Sequence, residues 1–144
     1  MKLNSLLLLT VIVFLPSCQN NNNESITKNN YIGKWYWESK DKKSTFIISL
    51  YTKNDSIYGF YCSSYNMGNR IDCGSDTEEI NIVGKIYNET IQLTFNSFFD
   101  AKNGNALIKY NKHDATLIWS ITKPPTGGSC YAPQAATLTR KKLW

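Results

Sequence analysis

Beyond residue 30 the chain alternates apolar and polar positions with a period of two. Successive side chains of a strand point to opposite faces, so this rhythm predicts strands with one oily face and one wet face. Eight segments carry it: "YIGKWYWES", "STFIISLYT", "IYGFYCS", "INIVGKIY", "TIQLTFNS", "ALIKYN", "ATLIWSIT" and "QAATLTRKK". Turn-forming residues separate several of them, as in "KNDS", Asn88-Glu89 and "KHD". No ten-residue stretch has helical periodicity, and the β-branched and aromatic content suits strands.

The alternation assigns the faces. Inward positions are Trp35, Trp37, Phe46, Ile48, Leu50, Ile57, Tyr61, Ile80, Ile82, Ile86, Ile91, Leu93 and Phe95, then Ile108, Tyr110, Leu117, Trp119, Ile121 and Leu138. Outward positions include Lys34, Glu38, Thr45, Ser49, Asn81, Lys85, Gln92, Thr94, Asn96 and Lys109. Short connections between consecutive strands make a meander, and about eight strands is the size at which a meander closes on itself. The expected fold is all-β: a single up-and-down antiparallel β-barrel of about eight strands over residues 31–144. Closure removes exposed strand edges, which protects a soluble β-protein from aggregation.

The first thirty residues follow another pattern. Lys2 is followed by an apolar run over residues 6–15, too short to span a bilayer, which takes about 20 residues. A charged start, a short apolar middle and a small-residue exit describe a signal peptide over residues 1–17. Leu15-Pro16-Ser17-Cys18 resembles the lipobox of bacterial lipoproteins. That resemblance implies cleavage before Cys18, acylation of its thiol and attachment to the cell envelope by lipid. Gln19 is not an aspartate, and the resemblance then leans toward the outer membrane rather than the inner. "QNNNNESITKNN" is polar and lacks aromatics, so residues 18–30 read as the lipidated cysteine and a flexible spacer.

Composition narrows the classes of function. The 144-residue chain has 16 basic and 11 acidic side chains and a formal charge of +5, with the lysines scattered. A nucleic-acid reader concentrates its basic residues on one stripe, so nucleic acid is not an expected partner. Three cysteines follow Cys18, and an exported location permits disulfides. Cys62 and Cys73 flank "SSYNMGNRID", a turn-rich loop, and pair best with each other; pairing of either with Cys130 is also compatible with the spacing. One histidine and no paired C-x-x-C make a metal site unexpected, and no cofactor is expected. No serine sits in a nucleophile motif, and His113 beside Asp114 lies in a short turn, so the chain does not read as an enzyme.

Gly33-Lys34-Trp35 resembles the G-x-W signature that opens the first strand in the calycin group, which includes lipocalins and avidins. In lipocalins that tryptophan plugs one end of the barrel and stacks with a basic residue on the last strand. The resemblance gives Arg140 that role. By likeness to avidin-type barrels, Tyr61 and Ser63 occupy ligand-facing slots on the third strand and Trp119 an aromatic wall. Trp37 stands where those barrels place a polar residue, and "TIQLTFNS" and "ALIKYN" lack their tryptophans, so biotin is not implied.

Two functions follow as expectations. In one, Trp35, Trp37, Tyr61, Ser63 and Trp119 line a pocket for a small apolar ligand. In the other, the barrel is a protein-interaction module of the envelope, such as a hydrolase inhibitor or immunity-type factor. There Tyr65, Met67 and Arg70 on the cysteine loop, or the loop "KPPTGGSCYAP", carry recognition.

Overall fold

The computed structural model describes residues 26–74 and 79–140. Nine strands form one antiparallel sheet: β1 (Gly33–Glu38), β2 (Thr45–Lys53), β3 (Ser56–Tyr65), β4 (Arg70–Asp72), β5 (Ile82–Tyr87), β6 (Thr90–Phe95), β7 (Gly104–Asn111), β8 (Thr116–Lys123) and β9 (Ala135–Leu138). Eight follow one another around the sheet, and the short β4 folds back as a hairpin on β3. The first and last strands meet through one bridge, in which Tyr36 and Thr139 exchange backbone hydrogen bonds of 2.8 and 2.9 Å. The sheet is thus a nearly closed up-and-down barrel, as the alternation predicts.

The inner face is one contiguous apolar cluster. Trp35, Phe46, Ile48, Ile57, Tyr61, Ile82, Ile91, Ile108, Leu117, Trp119 and Leu138 are buried, each at an expected inward position. Trp37, Ile86 and Tyr110 are half-buried and pack against the edge of this cluster. The pattern of β3 alternates buried and partly exposed residues from Ile57 to Ser64, which is the period-two reading in space.

Two expectations fail at one place. Ile80 is exposed and Asn81 is buried, the reverse of their assigned faces. The ladder between β3 and β5 covers only Ile57–Gly59 against Gly84–Ile82. Past that point Asn81 replaces the strand: its side-chain oxygen accepts the Tyr61 N–H at 3.0 Å, so the carboxamide turns inward as a backbone mimic. Alternation stops at Asn81, and Ile80 falls outside it.

Two further differences concern boundaries. Residues 26–30 were expected in the spacer, yet Lys28–Asn30 form a 3-10 turn and Ile26 packs on the core. Lys28 also pairs with Asp55 at 2.8 Å. The strand β4, unexpected from sequence, is a three-residue hairpin arm too short for a periodicity signal.

The strand directions sort the connections by end. Tight turns at residues 54–55, 88–89 and 112–115 lie at the end where the chain enters β1. The opposite end carries the β3–β4 turn together with the longer connections, residues 39–44 and the loops from β4 to β5, β6 to β7 and β8 to β9.

Candidate functional site

The loop end is organised around Asp72, a carboxylate with no exposed surface. An unpartnered buried carboxylate is very costly, so its acceptor capacity must be filled. Tyr61 donates its hydroxyl to Oδ2 at 2.9 Å, and the Tyr131 N–H donates to the same oxygen at 3.0 Å. The Phe98 N–H donates to Oδ1 at 2.9 Å. Ser97 Oγ sits 3.0 Å from each carboxylate oxygen and 2.6 Å from the Ser129 carbonyl, with one proton to donate between them. One side chain thereby ties the β4 hairpin, the β6–β7 loop and the β8–β9 loop to the barrel floor. Burial pushes the Tyr61 phenol far above its ordinary range, and Cys130 and Asp72 push it further, so it stays a donor.

Backbone contacts complete the brace. Lys102 and Thr126 exchange hydrogen bonds of 2.8 and 2.9 Å between the two long loops, and the Ser129 N–H donates to the Phe99 carbonyl at 3.0 Å. A Cβ at Gly128 would lie 2.0 Å from the Phe99 oxygen, so only glycine permits this approach. Cys62 and Cys73 form the disulfide, joining β3 to the residue after Asp72. Cys130 is free, half-buried, and 3.8 Å from the Tyr61 hydroxyl oxygen. Burial pushes its thiol up, with the Asp72 charge adding to that, so it is a poor nucleophile where it sits.

Against this scaffold a set of side chains faces solvent. Tyr65, Met67, Ile71 and Phe99 are exposed large apolar residues of the loop end, Met67 at 79 %. Met67 has a φ of 59°, in the left-handed region, and its N–H donates to the Lys43 carbonyl at 2.7 Å. Tyr65 stacks on Tyr131 at 6.0 Å, and Phe99 meets Tyr131 edge-on at 5.3 Å. Beside them Tyr65, Asn66, Asn69, Arg70 and Tyr131 line a cleft of about 400 Å³. A second concavity of about 590 Å³ lies on the outer wall of β5, β6 and β7, over Val83, Lys85, Gln92 and Thr94.

The expected site residues divide into three groups. Trp35, Tyr61, Ser63 and Trp119 are buried in the barrel and hydrogen-bonded within the chain. Trp35 Nε1 donates to the Tyr31 carbonyl, Trp119 Nε1 to the Pro133 carbonyl, and Ser63 Oγ to the Tyr131 carbonyl. Phe46, Tyr61, Phe95 and Trp119 fill the loop half of the interior as a ring cluster with centroids 5.2–6.1 Å apart. Trp37 is half-buried. Tyr65 and Arg70 come together at the exposed loop end with Tyr131 of "KPPTGGSCYAP", and Met67 lies exposed on the same hairpin turn, so two separately expected recognition loops form one surface. Cys18 and the lipobox lie outside the described residues.

Arg140 lies over the Trp35 ring, its Cζ 4.3 Å from the centroid, just past the end of β9. It also donates to the Ile32 carbonyl at 3.0 Å. Gly33, at φ +113°, leaves room for it: a Cβ there would lie 2.7 Å from Arg140 Nη1.

Sequence reasoning missed Asp72 and Tyr31. The only signal for Asp72 is an acid next to a cysteine inside an otherwise apolar-to-turn segment. Among the described residues no cluster of three or more His, Cys, Asp or Glu is placed to hold a metal ion. His113 and Asp114 pair in an exposed turn at the opposite end, where Asp114 also accepts from the Asn111 carboxamide at 2.9 Å. No protein-family model matches the chain, and neither a curated protein nor a solved structure matches it.

Proposed function

We propose that this protein is a lipid-anchored, calycin-like barrel of the bacterial cell envelope that binds a protein partner through its loop end. The carrying observation is Met67: a large apolar side chain, 79 % exposed, on left-handed backbone whose N–H donates to the Lys43 carbonyl of a neighbouring loop. Exposed apolar groups on a stiff support are what protein interfaces use. Tyr65, Ile71 and Phe99 are further exposed apolar side chains of the same loop end. The alternative of a small apolar ligand inside the barrel has less support, because the inward aromatics pack on one another and their polar atoms bond within the chain.

Two features support the orientation. The lipobox-like Cys18 precedes the barrel, and the chain enters at the end opposite the long loops. A lipid on Cys18 would therefore hold the loop end away from the membrane. The anchor is tested by radiolabelled palmitate incorporation and membrane fractionation: Cys18→Ser should abolish label and release the protein. Label retained by that variant removes the anchor from the reading. The surface is tested by affinity capture from solubilised envelopes. Met67→Asp and Ile71→Asp should lose a partner that Lys112→Glu, at the other end, retains. Equal capture by all three places recognition elsewhere.

A further inference from the structure

The cleft beside Met67 differs in chemistry from the apolar tip. Its walls are two tyrosine rings, two carboxamides and a guanidinium, from Tyr65, Tyr131, Asn66, Asn69 and Arg70. Tyr65 and Tyr131 are inclined by only 28°, and Phe99, outside the cleft, packs edge-on against Tyr131. Tyr65 is 52 % exposed, so much of its surface is free to cover another molecule.

The polar groups here are largely uncommitted. Arg70 makes one hydrogen bond, from Nη1 to the Asn69 carbonyl at 3.3 Å, and has no acidic partner among the described residues. Most of its fork of donors therefore faces solvent. Neither the Asn66 nor the Asn69 carboxamide has a hydrogen-bond partner among the described residues. The two sit on one turn, closed by the Asn69 N–H donating to the Asn66 carbonyl at 3.2 Å. That turn is continuous with the disulfide-braced hairpin, so the groups are held in place before any ligand arrives.

We infer that this cleft binds a saccharide carrying a carboxylate, of the uronic-acid class. Each group has a counterpart in such a ligand. The electron-rich faces of the tyrosines attract the C–H face of a pyranose ring. Each carboxamide both donates and accepts, as does each sugar hydroxyl, so Asn66 and Asn69 match a pair of neighbouring hydroxyls. The guanidinium meets a carboxylate in paired, charge-assisted hydrogen bonds. An acidic peptide would use the arginine, and its backbone amides could meet the carboxamides, but a chain of acidic side chains brings no C–H ring face to the tyrosines, so the saccharide accounts for more of the cleft. The cleft shares Tyr65 and Arg70 with the proposed partner surface, but the inference does not depend on that reading and its test uses no protein partner.

The test titrates the mature chain with tetragalacturonate, with maltotetraose as neutral saccharide and tetraglutamate as acidic peptide, followed by calorimetry and tyrosine ring NMR signals. Tetragalacturonate should bind and shift the Tyr65 and Tyr131 signals. Arg70→Gln, at an exposed position, should keep the native circular dichroism and bind about 10- to 100-fold more weakly, the span for losing a charged hydrogen bond. Maltotetraose should bind at least as weakly to the native chain as tetragalacturonate does to that variant. Absence of tetragalacturonate binding at millimolar concentration overturns the inference. So does equal affinity of Arg70→Gln and the native chain, or tetraglutamate binding as tightly as the saccharide.

Discussion

The two ends of this barrel are closed by different means. At the entry end the work is done by packed aromatic side chains and one arginine. Trp35 is buried beneath Arg140, Tyr110 meets both Trp35 and Tyr31 in T-shaped contacts, and Tyr31 donates its hydroxyl to the Glu89 carbonyl at 2.6 Å. The turns there are short, so little backbone needs to be held. At the loop end most connections are longer and leave more backbone to be held. They are held by a buried carboxylate, a disulfide and inter-loop hydrogen bonds. An end closed by packing is a lid. An end closed by polar ties keeps its loops in fixed positions while leaving their outer side chains free, which is what a recognition surface requires.

The contrast can be broken from either side. The largest effect is expected at the entry end: Trp35→Ala should cost about 3–5 kcal/mol, the range for deleting a buried large aromatic, read from the denaturant midpoint. Asp72→Ala should cost on the order of 3 kcal/mol, because the Phe98 and Tyr131 amides lose a charged acceptor. It should also raise hydrogen exchange at those two amides while leaving the entry end protected. If exchange rose equally at both ends, Asp72 would be a general core residue and the distinction between the ends would fail. Replacing Cys62 and Cys73 together by serine removes the constraint on an 11-residue separation, worth about 3 kcal/mol in the chain-entropy model. Here too the loosening should be confined to the loop end.

Arg140→Ala should cost about 1–2 kcal/mol by losing the contact to Trp35 and the bond to the Ile32 carbonyl, with no change in loop-end exchange. The smallest effect concerns His113, fully exposed at the entry end. Its hydrogen bond and charge contact with Asp114 raise its pKa above the ordinary histidine value. A raised folded-state value means that the pair contributes below the ordinary histidine pKa, and the contribution is lost as pH rises through the raised one. An NMR titration should show a midpoint above that of a free histidine, returning toward it in Asp114→Asn. An unchanged midpoint in that variant would remove Asp114 as the cause.

Much of the fold was legible because a strand's period of two needs no distant information. Phe46, Ile48 and Leu50 are buried while Ile47 and Ser49 between them are not, as alternation alone requires. The signal failed where the ladder did. Asn81 turned inward because the unpaired Tyr61 N–H was there to bond, which no local pattern reveals. The site was legible in part. A cysteine-flanked turn marked Tyr65, Met67 and Arg70, but nothing local brings Tyr131 to them, 66 positions away from Tyr65 along the chain.

The sequence by itself determined which residues face the centre and that consecutive strands pair, because both follow from steric alternation and short connections. Tertiary structure alone decided that a single carboxylate would gather three loops, and that tyrosines from two of them would share one surface. Those outcomes depend on where distant backbone donors converge once the cylinder has closed, and no neighbour in the chain encodes that convergence.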